Sequence, residues 1–267
     1  MLPRLTLVLP FALAALPASA APVDTLLDAL GVERVVEVMR EEGLAYTDTL
    51  AGDMQLSGSG WTETAERIYD TDRMGRIVRS AFDEGLDQSE IEPLIAFFES
   101  ELGARVVTLE IEARETMIDP AAEEAARESY REVEGTDDAR LGQIERFVAS
   151  GDLVEQNVSG ALNASLAFYN GLAAGGAMDI PEEDILRDVW AQEPETRADT
   201  TEWLHAYLML AYEPLTDAEL DRYIDLSESA AGEAVNRTLF EGFNAMYNEI
   251  SYALGLAAAR EMSGTEL

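Results

Sequence analysis

The sequence predicts an all-α fold. Apolar residues recur at three- and four-residue spacing along most of the chain, and helix-start and helix-stop residues stand at the ends of those runs. No stretch shows the sustained apolar–polar alternation of β-branched residues that a strand needs. A further observation sets the arrangement. Residues 86–117 return as residues 215–246, with 9 of 32 positions identical over an ungapped offset of 129. Among the shared pairs are Glu90/Glu219, Ile95/Ile224, Glu99/Glu228, Ser100/Ser229, Gly103/Gly232 and Met117/Met246. The expectation is two repeated helical halves, residues 21–135 and 136–267, packed as antiparallel helices in a bundle- or solenoid-like array.

Residues 1–20 read as a leader rather than as fold. Arg4 gives a positive start, the run from Leu5 to Leu16 is apolar, and Ala18-Ser19-Ala20 supplies small residues for cleavage. That run is shorter than the roughly 20 residues of a membrane-spanning helix. The expectation is a mature chain beginning near Ala21, periplasmic or secreted, without stable membrane insertion.

Residues 23–54 carry a helical pattern through Leu26, Leu27, Leu30, Val35, Val36, Met39 and Leu44. Ser57-Gly58-Ser59-Gly60 breaks it, and residues 61–84 form the next helix, closed by Gly85. Asp87/Glu90 and Thr216/Glu219 then have the capping-box spacing, in which the first side chain and the glutamate each satisfy a free backbone N–H. Pro93 is expected to tilt the first of these helices or to delay its start to Ser89. The shared Glu-Ser-x-x-Gly marks a tight turn, its serine capping the next helix and its glycine letting two backbones approach. Long helices follow, with stripes Val106, Leu109, Ala113, Met117 and Val235, Leu239, Phe243, Met246, Ile250, Leu254. Asp119-Pro120 interrupts the first stripe, residues 121–133 form an acidic helix, and residues 134–137 mark the boundary between halves. Ile144–Val148 echoes Val32–Val36, which suggests that the repeat extends upstream. A helix ending at Leu172, a break at Gly175-Gly176 and a helix opened by Pro181 complete the second half.

The pattern of residues 86–117 resembles the bacterial exported family catalogued as domain of unknown function 2059. The matching residues are Glu90, Leu94, Ile95, Phe97, Phe98, Ser100 and Gly103, repeated more loosely from Glu219 to Gly232. Leu226 and Ser227 replace the two phenylalanines in the second copy, and neither copy has a proline after the serine. The resemblance implies a helical, exported domain and brings no catalytic residues.

Missing residue types exclude much chemistry. Without lysine there is no Schiff base and no P-loop lysine. Without cysteine there is no thiol nucleophile, iron–sulfur cluster or disulfide framework. His205 is the single histidine, so paired-histidine zinc motifs are absent, and Glu202-x-x-His205 supplies only half of a di-iron constellation. The chain carries 53 acids and a net charge of −35, a field that repels nucleic acid and anionic lipid. It also suits a solvated surface in saline surroundings.

Carboxylate chemistry survives this elimination. Paired acids can hydrolyse glycosides, and Glu99-Ser100 resembles the Glu-Ser start of the lytic transglycosylase motif. That family's glycine- and glutamine-rich signature does not follow, and the dipeptide recurs at Glu228-Ser229, which suits a helix turn better than an active site. Asp70-Thr71-Asp72 and Asp137-Asp138 offer oxygen ligands for calcium but start no proper twelve-residue loop. Tyr207, Met209, Tyr212, Phe240, Phe243, Met246 and Tyr247 could line a ligand pocket, and at helical spacing they also read as core. The reading assigns no catalytic, cofactor-binding or metal residue, and no cofactor. It favours a non-enzymatic envelope protein that binds a protein partner or small ligand. The alternatives are a carboxylate-based hydrolase or a salt-adapted structural component. If function is written locally, it belongs to what the halves do not share, such as residues 119–133 or 175–193.

Overall fold

Side chains that accept from free backbone N–H groups start most helices in this chain. Asp70, Ser100, Asp119, Asp138 and Ser229 each take such a bond, at 2.7 to 3.1 Å. Thr216 and Glu219 form the full capping box, with bonds of 3.3 and 2.8 Å, and Glu90 reaches back to the Asp87 N–H at 2.8 Å. A computed structural model describes residues 22–56, 60–178 and 181–264. Within them are thirteen helices and no strand. They are α1 (Pro22–Ala29), α2 (Val32–Met54), α3 (Trp61–Ile68), α4 (Thr71–Gly85), α5 (Gln88–Phe98), α6 (Glu101–Thr116) and α7 (Pro120–Val133). The remainder are α8 (Ala139–Ser150), α9 (Leu153–Ala174), α10 (Glu182–Trp190), α11 (Glu193–Tyr212), α12 (Asp217–Ser227) and α13 (Ala230–Met262). The leader read at residues 1–20 and most of the Ser57–Gly60 break lie outside the described residues. No described helix is long and apolar enough to cross a membrane.

The all-α expectation holds, and several single helices divide. The pattern of residues 23–54 breaks at Gly31, whose φ of +63° is left-handed and free of penalty only for glycine. Residues 61–84 break at Tyr69-Asp70, because the Asp70 carboxylate caps α4 and its own backbone is extended. The run to Leu172 breaks at Asp152, again left-handed at +50°. Pro93 does not delay α5, which starts at Gln88 and carries Pro93 inside it. The echo of Val32–Val36 in Ile144–Val148 has no counterpart in the fold, since the first stretch opens α2 and the second lies in the later turns of α8.

The turns at residues 99–103 and 228–232 are built alike. Ser100 Oγ accepts from the Gly103 N–H and Ser229 Oγ from the Gly232 N–H, both at 3.1 Å. A Cβ on Gly103 would lie 2.1 Å from the Phe97 carbonyl oxygen, and one on Gly232 would lie 2.0 Å from that of Leu226. Each glycine therefore lets its helix cross the preceding one at backbone contact.

Packing links the two ends of the chain. Helix α4 lies against α13, and α11 lies against α6 and α7. The longest seam joins α9 to α13, where Gly171 faces the Tyr252 carbonyl and Gly255 that of Phe168. One contiguous apolar core runs from Leu26 to Ala259, drawing on residues both before and after the 134–137 boundary. Smaller clusters sit beneath α7 and beneath α10.

Candidate functional site

Helix α6 buries Val106 and Ala113 and is followed by buried Met117. Glu110 falls on the same stripe, four residues after Val106 and three before Ala113. An acid there must find partners or give up its charge. It finds phenols. The Tyr212 hydroxyl of α11 donates to Glu110 Oε1 at 2.5 Å, and Tyr223 of α12 adds a second side-chain bond. The Tyr207 hydroxyl donates to the Glu110 backbone carbonyl at 3.0 Å. Aromatic rings close the surroundings. Phe147 meets Tyr212 edge-on at 5.6 Å, and Phe97 stacks on Tyr223 at 5.8 Å.

One turn along α6, Arg114 forms a two-pronged pair with Glu42 of α2, through bonds of 2.8 Å each. The Tyr247 hydroxyl of α13 sits against the same guanidinium. About a quarter of each charged side chain remains accessible, 25% for Arg114 and 27% for Glu42, so this end of the cluster opens toward solvent. The Glu110 carboxyl lies among the phenols, and the residue as a whole is half-buried.

Burial pushes the Glu110 carboxyl up, against the opposing pull of the Tyr212 and Tyr223 hydrogen bonds. Burial likewise raises Tyr207, Tyr212, Tyr223 and Tyr247, which keeps these phenols protonated as donors. The cluster is a network of neutral donors around one carboxyl, beside an ion pair. Its two acids, Glu42 and Glu110, are each already engaged.

The raised acid gives a signed expectation. Just above the ordinary carboxylate range, the native state holds a proton that the unfolded chain has released, so this contribution to stability falls as pH rises. Glu110→Gln keeps an acceptor for Tyr212 and removes the titration. Urea unfolding from about pH 4 to about pH 8 should show the variant gaining on the parent chain as pH rises. Parallel curves would show that Glu110 keeps an ordinary affinity for its proton. Glu202 and Glu219 run the other way. Hydrogen bonds, from Arg131 foremost for Glu202 and from Thr216 for Glu219, hold these carboxyls down, so their contribution is lost as pH falls.

Sequence reasoning missed Glu110, Arg114, Glu42 and Tyr223. The readable signal was an acid and an arginine on the buried stripe of α6, at positions where the second copy has Leu239 and Phe243. Of the aromatic and methionine set, Tyr212 and Met246 are fully buried, and Met209, Phe240 and Phe243 pack against the core. Tyr207, Tyr212 and Tyr247 enter the polar cluster.

The remaining candidates serve the fold. Asp70 and Asp138 are helix caps. His205 is buried, with Nδ1 2.7 Å from the Thr201 carbonyl and its ring stacked on Tyr130 at 5.1 Å. Glu202 is held by Arg127 and Arg131. Among the described residues, no three acidic or histidine side chains gather as a metal-ligand set. Glu99 and Glu228 are both exposed, and Glu228 pairs with Arg146 at 3.2 Å. Glu99 does line an open groove of about 720 Å³, which it shares with Asp28, Thr25 and Thr108.

The class defined by this geometry is an all-α helical domain with cap-and-turn hairpins and a phenol–carboxyl cluster at its centre. Residues 72–131 match the model of a family described as "Uncharacterized protein conserved in bacteria (DUF2059)". That span takes in α5, α6 and most of α7, including Glu110 and Arg114, and bears out the resemblance read from residues 86–117. It does not reach residues 215–246. No curated protein and no solved structure matches the chain.

Proposed function

We propose that this chain is an exported, non-enzymatic, acidic helical protein of the bacterial envelope that binds a protein partner or a small ligand. The leader-like residues 1–20 and the family match support export and helical class. Of the carboxylates singled out by motif, Asp70 and Asp138 act as caps and Glu202 and Glu228 as ion-pair partners, a use that favours structure over chemistry. The observation carrying the reading is an exposed apolar strip on α10, Leu186 and Trp190, within the 175–193 segment that the two copies do not share. Solvent-facing tryptophan beside leucine is a feature of contact surfaces. We read residues 21–135 and 136–267 as divergent halves, a reading supported by the matching turns at Gly103 and Gly232.

The test is a pull-down from an envelope extract with the leaderless chain, beside an acidic helical control of matched charge. A partner retained by the chain and absent from the control is the expected result. Equal capture by both would end the specific-partner reading.

A second reading rests on the groove shared by Asp28 and Glu99. Two carboxylates on one groove could act as acid and base on a cell-wall glycan. Release of soluble fragments from peptidoglycan, abolished in Asp28→Asn and Glu99→Gln, would support it. No release by the parent chain would dismiss it.

A further inference from the structure

We propose that the outer face of α10 is a docking site for a cationic amphipathic segment of another protein. This rests on the reading of the chain as a binding protein and names the partner's chemistry. An ordinary surface helix has one apolar stripe, turned to the core. Helix α10 has two. Ile185 and Val189 are buried against Val158 and Leu162 of α9, as a surface helix requires. Leu186 and Trp190, one turn apart and about 100° further round the helix, are 42% and 57% exposed. The other two tryptophans differ. Trp61 is 3% exposed, its indole N–H donating to the Thr47 carbonyl, and Trp203 is partly buried and stacked on Tyr207.

Charge chooses the occupant. Residues 181–199 hold seven acids and two arginines. Arg187 is tied to Asp184 and Asp188, and Arg197 to Glu155 and Glu193. Glu182 and Glu183, beside the apolar strip, are exposed and have no ion pair among the described residues. An apolar strip rimmed by unpaired acids complements a helix with leucines on one side and lysines or arginines on the other. An anionic membrane is disfavoured by the same field.

The test is a fluorescence titration of the leaderless chain with a synthetic Lys/Leu amphipathic helix and with an oligolysine of equal charge. The amphipathic peptide should shift the emission of Trp190 to the blue, and Trp190→Ala should weaken its binding about ten-fold or more. Glu182→Gln/Glu183→Gln should weaken it further at low salt, and oligolysine should bind without the shift. Equal affinity for both peptides, unchanged binding in Trp190→Ala, or no binding of the amphipathic peptide would each overturn the proposal. The pull-down separates the two readings. A partner captured equally by the parent chain and Trp190→Ala leaves binding standing and removes α10 from it, whereas no specific capture by either removes both.

Discussion

Gly255→Ala should lower the stability of the chain by about 3 kcal/mol, the upper end of what an added carbon in a close-packed seam costs. A Cβ there would stand 2.0 Å from the Phe168 carbonyl oxygen and about 3.0 Å from backbone atoms of the facing helix. Those atoms belong to α9 and cannot swing aside as a side-chain end would. Relief requires α9 and α13 to separate along their shared seam, where a Cβ on the neighbouring Gly171 would lie 2.2 Å from the Tyr252 carbonyl oxygen. Gly52→Ala is the matched control. Gly52 lies in α2 with nothing within 4 Å of a new Cβ, so alanine should leave stability unchanged or raise it by up to about 1 kcal/mol. Thermal unfolding of the two variants should differ by roughly 10 °C for a chain of this size. Similar curves would mean that the α9–α13 seam is looser than its backbone contacts indicate.

Tyr212→Ala should cost about 4 kcal/mol, as expected for removing a large aromatic side chain from a core. Tyr212 is fully buried, its ring meets Phe147 and Tyr223, and its hydroxyl satisfies the buried end of Glu110. Two losses therefore coincide, a cavity and one of the carboxyl's two phenol donors. Tyr212→Phe separates them, since it keeps the ring and removes the donor, and should cost about 1–2 kcal/mol. Placed on a Glu110→Gln background, the phenylalanine variant should show non-additive behaviour, because the two groups share one bond. Full additivity in denaturant titrations would place Glu110 and Tyr212 out of contact.

The backbone was more legible than the centre. Helix class, the Thr216–Glu219 box and the role of Ser100 and Ser229 follow from local rules, which need only a few adjacent residues. Gly85, by contrast, read as a stop beyond the helix, is its last residue and packs against Thr238 of α13. The breaks at Gly31, Tyr69-Asp70 and Asp152 were hidden because apolar spacing continues across them. A period of three to four residues does not register a one-residue change of backbone direction. The acidic runs at 70–72 and 137–138 looked like ligand clusters and turned out to supply caps, a use that a single aspartate before a helix already predicts. The Glu110 cluster could not be assembled from the sequence, since its members stand on α2, α6, α11, α12 and α13, and only packing brings them together. What the sequence did offer was one acid on a buried stripe, a conflict between pattern and polarity that marks a place to look.

The proposed role, contact with a partner through the exposed side of α10, can be tested in the cell. The direct measurement is photo-crosslinking in living cells, with a photoreactive phenylalanine analogue at position 190 and, as control, at the exposed acidic position 225. One discrete adduct is expected from position 190, whose crosslinked peptide carries lysine or arginine beside leucine-type residues, and no such adduct from position 225. The same adduct from both positions, or none from 190, would contradict that role.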